Sequence, residues 1–267
     1  MKSPRFVQTG TADVAAERRA ATGALAAQPA TLAPKYFYDR LGSTLFEAIT
    51  ELPEYYPTRT EAAIFEAHGA AIAAAAGSGM TLIDLGAGNC AKAMRLFPLL
   101  EPSRYVAVDV SVDFLRDALH AAQREHPGLD MVGLGQDFSA GLALPAELVG
   151  PARPVFFYPG SSIGNFERDE ALGFLRRIAA AAGGGGLLIG VDLVKDAALL
   201  QAAYDDSLGV TAAFNRNALR HLNAFIGSDF EPRQWRHVAF YDAEKSRVEM
   251  HLEATEALTV AWPGGSR

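Results

Sequence analysis

One stretch constrains this chain more than any other: residues 81–92, TLIDLGAGNCAK. A short apolar run, Leu82, Ile83 and Leu85 interrupted by Asp84, ends in Gly86-Ala87-Gly88, and Asn89 and Cys90 lead into a helical pattern with Lys92, Met94, Leu96 and Phe97. The order is strand, glycine turn, helix. Glycine lacks a Cβ and tolerates positive φ, so such a turn lets the backbone come close to a ligand. It also aims the first N–H groups of the helix toward it. The pattern G-x-G-x-x-A suits a dinucleotide, another nucleoside, or a tight turn that binds nothing.

Around this turn strands and helices alternate. Strands are expected at 81–85, 105–109, 131–134, 154–158 and 187–192, and helices at 91–100, 112–126 and 167–182. Alternation of this kind implies an α/β fold with a parallel sheet and helices on both faces. The nearly all-apolar strands fit a sheet buried on both sides. Upstream, residues 1–11 read as disordered, 12–27 as an alanine-rich helix, and a further helix is expected from Ser43. Thr58 with Glu61 reads as a capping box opening a helix to about residue 76. After Asp192 the rhythm breaks. Helices are expected at 197–206 and 210–226, the second interrupted at Phe214-Asn215-Arg216-Asn217, and then a hairpin of strands at 235–241 and 246–253. The implied division is 1–57 as an N-terminal helical segment and substrate loop, 58–195 as the core, and 196–267 as a recognition module.

Composition narrows the classes. Hydrophobic residues make up 49% of the 267, enough for a sizeable core. The net charge of −7 and the absence of a basic run argue against a nucleic-acid partner. No apolar segment reaches the ~20 residues of a membrane span. A single cysteine, Cys90, excludes an internal disulfide framework and suits a reducing cytoplasm. The six histidines are not spaced as metal ligands, so no metal is expected.

In an open parallel sheet, ligands bind beyond the carboxyl ends of the strands. The residues there are Gly86 and Gly88, Asp109, Asp137-Phe138, Gly160 through Asn165, and Asp192. Asp109 stands about 20 residues after the glycine turn, where an acid can accept from ribose hydroxyls. Asp137 offers an acceptor for an exocyclic amine and Phe138 an apolar face for a purine. Asp109 also suits a helix cap, and Phe138 a core position. Together they describe an adenosine-shaped site, with a nicotinamide enzyme still open on these features alone.

Longer signatures flank the sheet. PKYFYDRLGSTLFEAITELPEYYPTRTE, GSSIGN, DLVKD, AYDD, GVTAAFNRN and RVEM stand in this order between Pro34 and Glu253. On these stretches the chain resembles the L-histidine Nα-methyltransferases of ergothioneine biosynthesis. The resemblance implies a class I, Rossmann-like fold binding S-adenosylmethionine (SAM), with a substrate-binding α+β module inserted after the fifth strand. It implies that Gly86, Gly88, Lys92, Asp109, Asp137 and Phe138 contact SAM. It implies that Tyr55, Asn165 and Tyr204 bind the amino acid and that Tyr38, Phe46, Gly160 and Met250 line the same pocket, Tyr38 and Asn165 positioning the substrate. The implied reaction is methylation of the histidine α-amine to the trimethyl product, with no obligate catalytic base. The implied enzyme is a cytoplasmic monomer with a small-molecule substrate and no membrane partner.

The sequence also departs from that family. No Glu-x-Ser element follows RVEM, and Glu253 and Glu256 precede where it belongs. The expectation is a chain shortened at its C-terminus, lacking imidazole-reading contacts and the last strands of the core, with an unpaired edge beside the fifth strand. The alternatives are a SAM-binding homologue with little activity and an N-methyltransferase of another small amino acid or amine.

Overall fold

The computed structural model describes residues 2–8, 13–139 and 141–266. In chain order the elements begin with strand β1 (Arg5–Gln8) and helices α1 (Val14–Ala26), α2 (Arg40–Thr50) and α3 (Tyr56–Ala76). Next come β2 (Thr81–Leu85), α4 (Ala91–Leu100), β3 (Arg104–Asp109), α5 (Val112–Glu125) and β4 (Asp130–Gly135). These are followed by α6 (Ala146–Val149), β5 (Pro154–Tyr158), α7 (Arg168–Ala182) and β6 (Gly186–Ile189). The remainder is α8 (Ala197–Ala202), α9 (Val210–Ile226), β7 (Trp235–Asp242), β8 (Arg247–Ala254) and the two-residue strands β9 (Ala261–Trp262) and β10 (Gly265–Ser266). None of the described helices is long and apolar enough to cross a membrane. The chain divides into two units: the described residues of 1–10 with Pro57–Leu193, and those of 11–56 with Val194–Arg267.

The first unit is built on a six-stranded sheet in the order β1-β4-β3-β2-β5-β6, every pairing parallel. From β4 to β6 this is the Rossmann-like order, with β2 at the centre, β3 and β4 to one side, and the chain crossing back after β4 to place β5 and β6 on the other. All five residues of β2 are buried, as a central strand covered on both faces requires. One core layer packs Leu82, Leu96, Phe97, Tyr105, Leu119 and Phe157, and the other packs Ile83, Val106, Val132, Phe156, Phe174 and Ile178. Among the described residues β6 pairs only with β5, and Leu187 on that edge is exposed.

The N-terminus differs from the expectation of disorder. Arg5–Gln8 adds a sixth strand beside β4, in register from Arg5 with Val132 to Gln8 with Gly135. Phe6 lies over Gly133, where a Cβ would come within 2.6 Å of its ring. The Arg116 guanidinium sits 5.3 Å from the centre of the same ring. Residues 1, 9–11 and 12 of the expected disordered and helical segments lie outside the described residues.

In the second unit α9 is the central helix. Its expected interruption at Phe214–Asn217 is absent, and Phe214, Asn215 and Asn217 are all buried within a continuous helix. Asp39 caps α2 by accepting from the Gly42 N–H at 2.7 Å, so that helix starts earlier than its apolar pattern shows. The same carboxylate oxygen accepts from Asn217 Nδ2 at 2.7 Å, which fixes α2 to α9. Asp206 caps α9 through the Val210 and Thr211 amides at 2.9 and 2.7 Å. The hairpin β7–β8 pairs antiparallel from Trp235 with Ala254 to Asp242 with Arg247. A separate cluster joins Leu25, Tyr36, Leu222, Ile226, Phe230 and Trp262.

Candidate functional site

The turn after β2 has an alternating backbone. Gly86, Gly88 and Cys90 take φ of 74°, 52° and 63°, so the one non-glycine of the three carries left-handed strain. The turn is clamped to the end of β3. The Gly86 and Ala87 amides donate to the Val108 carbonyl at 2.9 and 3.1 Å, and the Gly88 amide donates to Asp109 Oδ2 at 2.9 Å. The Ala91 amide opening α4 is taken by Asn89 Oδ1 at 3.1 Å. The Gly86, Ala87, Gly88 and Ala91 amides are therefore occupied in holding the turn in shape. Asp109 Oδ1 also accepts from the Ser111 amide at 2.9 Å, so this carboxylate joins the turn to the start of α5. Burial raises its pKa above the ordinary carboxylate value.

Asp137 Oδ1 accepts from the Ser139 amide at 3.0 Å and from the Ser139 hydroxyl. The half-buried Phe138 packs at 5.9 and 5.8 Å from the rings of Tyr158 and Phe174, and its Cζ lies 3.8 Å from where a Cβ on Gly86 would be. Lys92, in the first turn of α4, places Nζ 2.7 Å from Glu61 Oε2. Glu61 Oε1 accepts from the Gly160 amide at 2.7 Å. Thr58 and Glu61 thus form no capping box: α3 begins at Tyr56, and the glutamate reaches across to the loop after β5. Gly160, at φ 74°, comes so close to Lys92 that a Cβ would sit 2.8 Å from Nζ. Asn165 ends the short 3-10 turn Ser162–Asn165 and is exposed. Beneath the turn the buried Asp84 accepts from the Tyr105 hydroxyl at 2.7 Å. Desolvation pushes its pKa up to about 7, and that of Cys90 up to about 12.

The other predicted residues are in the second unit, where one aromatic cluster contains them. Tyr38, Phe46, Tyr55, Tyr204 and Met250 pack with Phe37, Ile49, Leu52 and Phe214. Ring centres lie 5.7 Å apart for Tyr38 and Phe46, 6.0 Å for Phe46 and Tyr55, and 6.1 Å for Tyr55 and Tyr204. Phe214, not singled out from sequence, is the hub: its ring lies 5.2 Å from Phe37, 5.6 Å from Tyr38 and 5.9 Å from Phe46. The signal for it is its place inside GVTAAFNRN, where Asn215-Arg216-Asn217 suggests a helix break instead. Tyr204 is held from behind by His237. Nε2 of that imidazole lies 2.8 Å from the Tyr204 carbonyl and must carry the proton, while Nδ1 accepts from Asn215 Nδ2 at 2.8 Å.

The family profile described as "Histidine-specific methyltransferase, SAM-dependent" matches residues 17–267. The chain belongs to the SAM-dependent, histidine-specific methyltransferases. A histidine N-alpha-methyltransferase of Mycolicibacterium smegmatis is 42% identical over 253 residues, covering 92% of this chain and 78% of that protein. One of Mycobacterium tuberculosis is 41% identical over 242 residues, covering 89% and 74%. The ergothioneine biosynthesis protein 1 of Neurospora crassa is 32% identical over 237 residues, 85% of this chain and 27% of that protein.

For a methyltransferase of this family, the groups at the strand ends suit SAM chemically. Lys92 supplies a cation for a carboxylate. Asp109 keeps lone-pair capacity beyond its bonds to backbone amides, as a diol requires. Phe138 presents an aromatic ring beside the glycine turn. A β-carbon at Gly86 would lie in van der Waals contact with that ring, so glycine keeps the space beside it open.

Proposed function

We propose that this enzyme methylates the α-amine of L-histidine, using SAM held by the first unit and amino-acid contacts that include the aromatic cluster of the second. The observation that carries this reading is the family match over residues 17–267, on a chain whose sheet order is Rossmann-like. In the proposed assignment Asp109 takes the ribose hydroxyls, Phe138 the adenine face, Asp137 its amine, and Lys92 the methionine carboxylate, with Gly86 and Gly88 shaping the turn. Tyr55, Asn165 and Tyr204 hold the substrate through phenol and amide groups that donate to a carboxylate. Tyr38, Phe46, Gly160 and Met250 line its surroundings.

SAM supplies a methyl group already activated on a sulfonium, so the protein's task is to position a neutral amine in line with it. A free α-amine keeps a small neutral fraction near pH 7, so no obligate base is required. Each transfer replaces an N–H by a methyl group. A directional acceptor would lose a hydrogen bond each time, whereas the faces of Tyr38 and Phe46 attract a quaternary ammonium by about 0.5–2 kcal/mol.

The test is mass spectrometry of products from the purified enzyme with SAM and a panel of amino acids and simple amines. Histidine carrying up to three added methyl groups is the expected product. Methylation of another amine with histidine untouched would overturn the substrate assignment. Replacing Tyr38 by Ala should stall the series before the trimethyl product; unchanged progress would remove the cation–π role.

A further inference from the structure

We propose that Glu61 is a positioning residue of the cofactor site, presenting the Lys92 ammonium and the Gly160 loop to the amino-acid end of the cofactor. The inference rests on the assignment of Lys92 to the methionine carboxylate. Glu61 belongs to α3, which supplies none of the strand-end residues expected to bind SAM. Yet its two oxygens serve Lys92, assigned to that end of the ligand, and the Gly160 loop, assigned to the surroundings of the substrate. Oε2 lies 2.7 Å from Lys92 Nζ on α4, and Oε1 accepts at 2.7 Å from the Gly160 amide after β5. The third neighbour is Gly190, after β6, where a Cβ would collide with Glu61 Oε1. Glu61 thus links α3, α4 and the ends of two neighbouring strands.

Exposure separates this pair from an ordinary surface ion pair. The Glu61 side chain is only 12% exposed and that of Lys92 34%. Surface pairs between mobile side chains contribute little. A covered carboxylate held by an amide hydrogen bond on one oxygen and an ion pair on the other has a fixed direction. Lysine is a flexible four-carbon stem with three donors. Glu61 Oε2 holds the ammonium by its charge rather than by an aligned hydrogen bond, so the N–H donors can turn to an incoming carboxylate. Without Glu61 the stem is released, and the Gly160 amide loses its acceptor at a close-packed turn.

The experiment is calorimetric titration of the full chain with S-adenosylhomocysteine and with 5′-methylthioadenosine, which keeps the nucleoside but lacks the amino-acid end. Lys92→Met should weaken S-adenosylhomocysteine about tenfold or more and leave methylthioadenosine within about twofold, the scale of losing a charged hydrogen bond. Glu61→Ala should give the same selective loss, and the double variant little further loss, because the two side chains act as one. Glu61→Gln, which keeps an acceptor for Gly160 and loses the charge, should fall between, and it serves if the alanine variant fails to fold. Equal weakening of both nucleosides by both Glu61 variants would reduce Glu61 to a structural role and overturn the proposal. So would unchanged S-adenosylhomocysteine binding. If Lys92→Met itself leaves S-adenosylhomocysteine unaffected, the assignment of Lys92 fails, and the Glu61 proposal fails with it.

Discussion

Replacing Asp84 by Asn should change how the stability of this protein depends on pH, and the size of the change follows from where the carboxyl sits. Asp84 is 2% exposed in the middle of β2. The Tyr105 hydroxyl donates to one oxygen at 2.7 Å, and the other has no hydrogen-bond partner among the described residues. Burial outweighs the Tyr105 bond and moves the pKa from 3.8 to about 7. A group whose folded pKa is raised keeps its proton in the folded state after the unfolded chain has lost it. Between about pH 4 and 7 the folded state therefore binds more protons, and stability falls as pH rises. A shift of about three units at 1.36 kcal/mol each makes the loss on the order of 4 kcal/mol, complete above pH 7.

Asparagine removes the ionisation and keeps an acceptor for Tyr105. Its amide N–H groups replace the unpartnered oxygen, at a cost of about 1–3 kcal/mol for a buried unsatisfied donor. The variant should be the less stable protein near pH 4 and should gain on the wild type by several kcal/mol toward pH 8. Urea denaturation of both proteins across this range measures the difference, in which the contributions of all other titrating groups cancel. Parallel stability curves would show that Asp84 does not titrate as its burial requires and would refute the reasoning.

Gly42 lies against the Phe37 carbonyl oxygen, which a Cβ would overlap, so Gly42→Ala should displace the start of α2 and cost about 1–3 kcal/mol or more. Thermal unfolding checks this, and an unchanged midpoint would contradict it. Phe214 is 4% exposed among three other rings, so Phe214→Ala should cost about 3–5 kcal/mol. The milder Phe214→Leu, once shown to be folded, should raise the KM for histidine. A KM equal to that of the wild type would argue against substrate binding by the aromatic cluster.

The four strands β2 to β5 were legible because each is a short apolar run bounded by turn residues, and burial on both faces leaves no polar face to confuse the period. The strand β1 was not. Four residues carry too little pattern, and what makes them a strand is β4, more than a hundred residues away. The misread break in α9 has the same origin. Phe214-Asn215-Arg216-Asn217 is a poor helical run by local preference, but its asparagines find distant partners. Asn215 donates to His237 and to the His251 carbonyl, and Asn217 to Asp39. Tertiary hydrogen bonds override local propensity here. Glu61 failed in the reverse direction, because a local motif offered a sufficient explanation for a side chain whose partners are remote.

These same bonds separate two kinds of residue within the signature stretches. Asp39 and Asn217, and Asn215 and His237, satisfy each other inside the second unit, and Asp206 is occupied by the amides that begin α9. A buried polar group whose partner is removed retains its desolvation cost of about 1–3 kcal/mol, so changes at these positions act first on stability. Tyr38, Phe46 and Tyr204 are different. They are only half-buried, and they meet one another and their neighbours through ring contacts, which fix the shape of the cluster. On the proposed reading this is the surface an amine needs when it gains methyl groups in succession. Its charge persists while its hydrogen-bond donors disappear, and ring faces depend on the first and not the second. The parts of the cofactor that stay constant through every transfer then fall to the first unit, where Lys92 and Asp109 are the groups assigned to them.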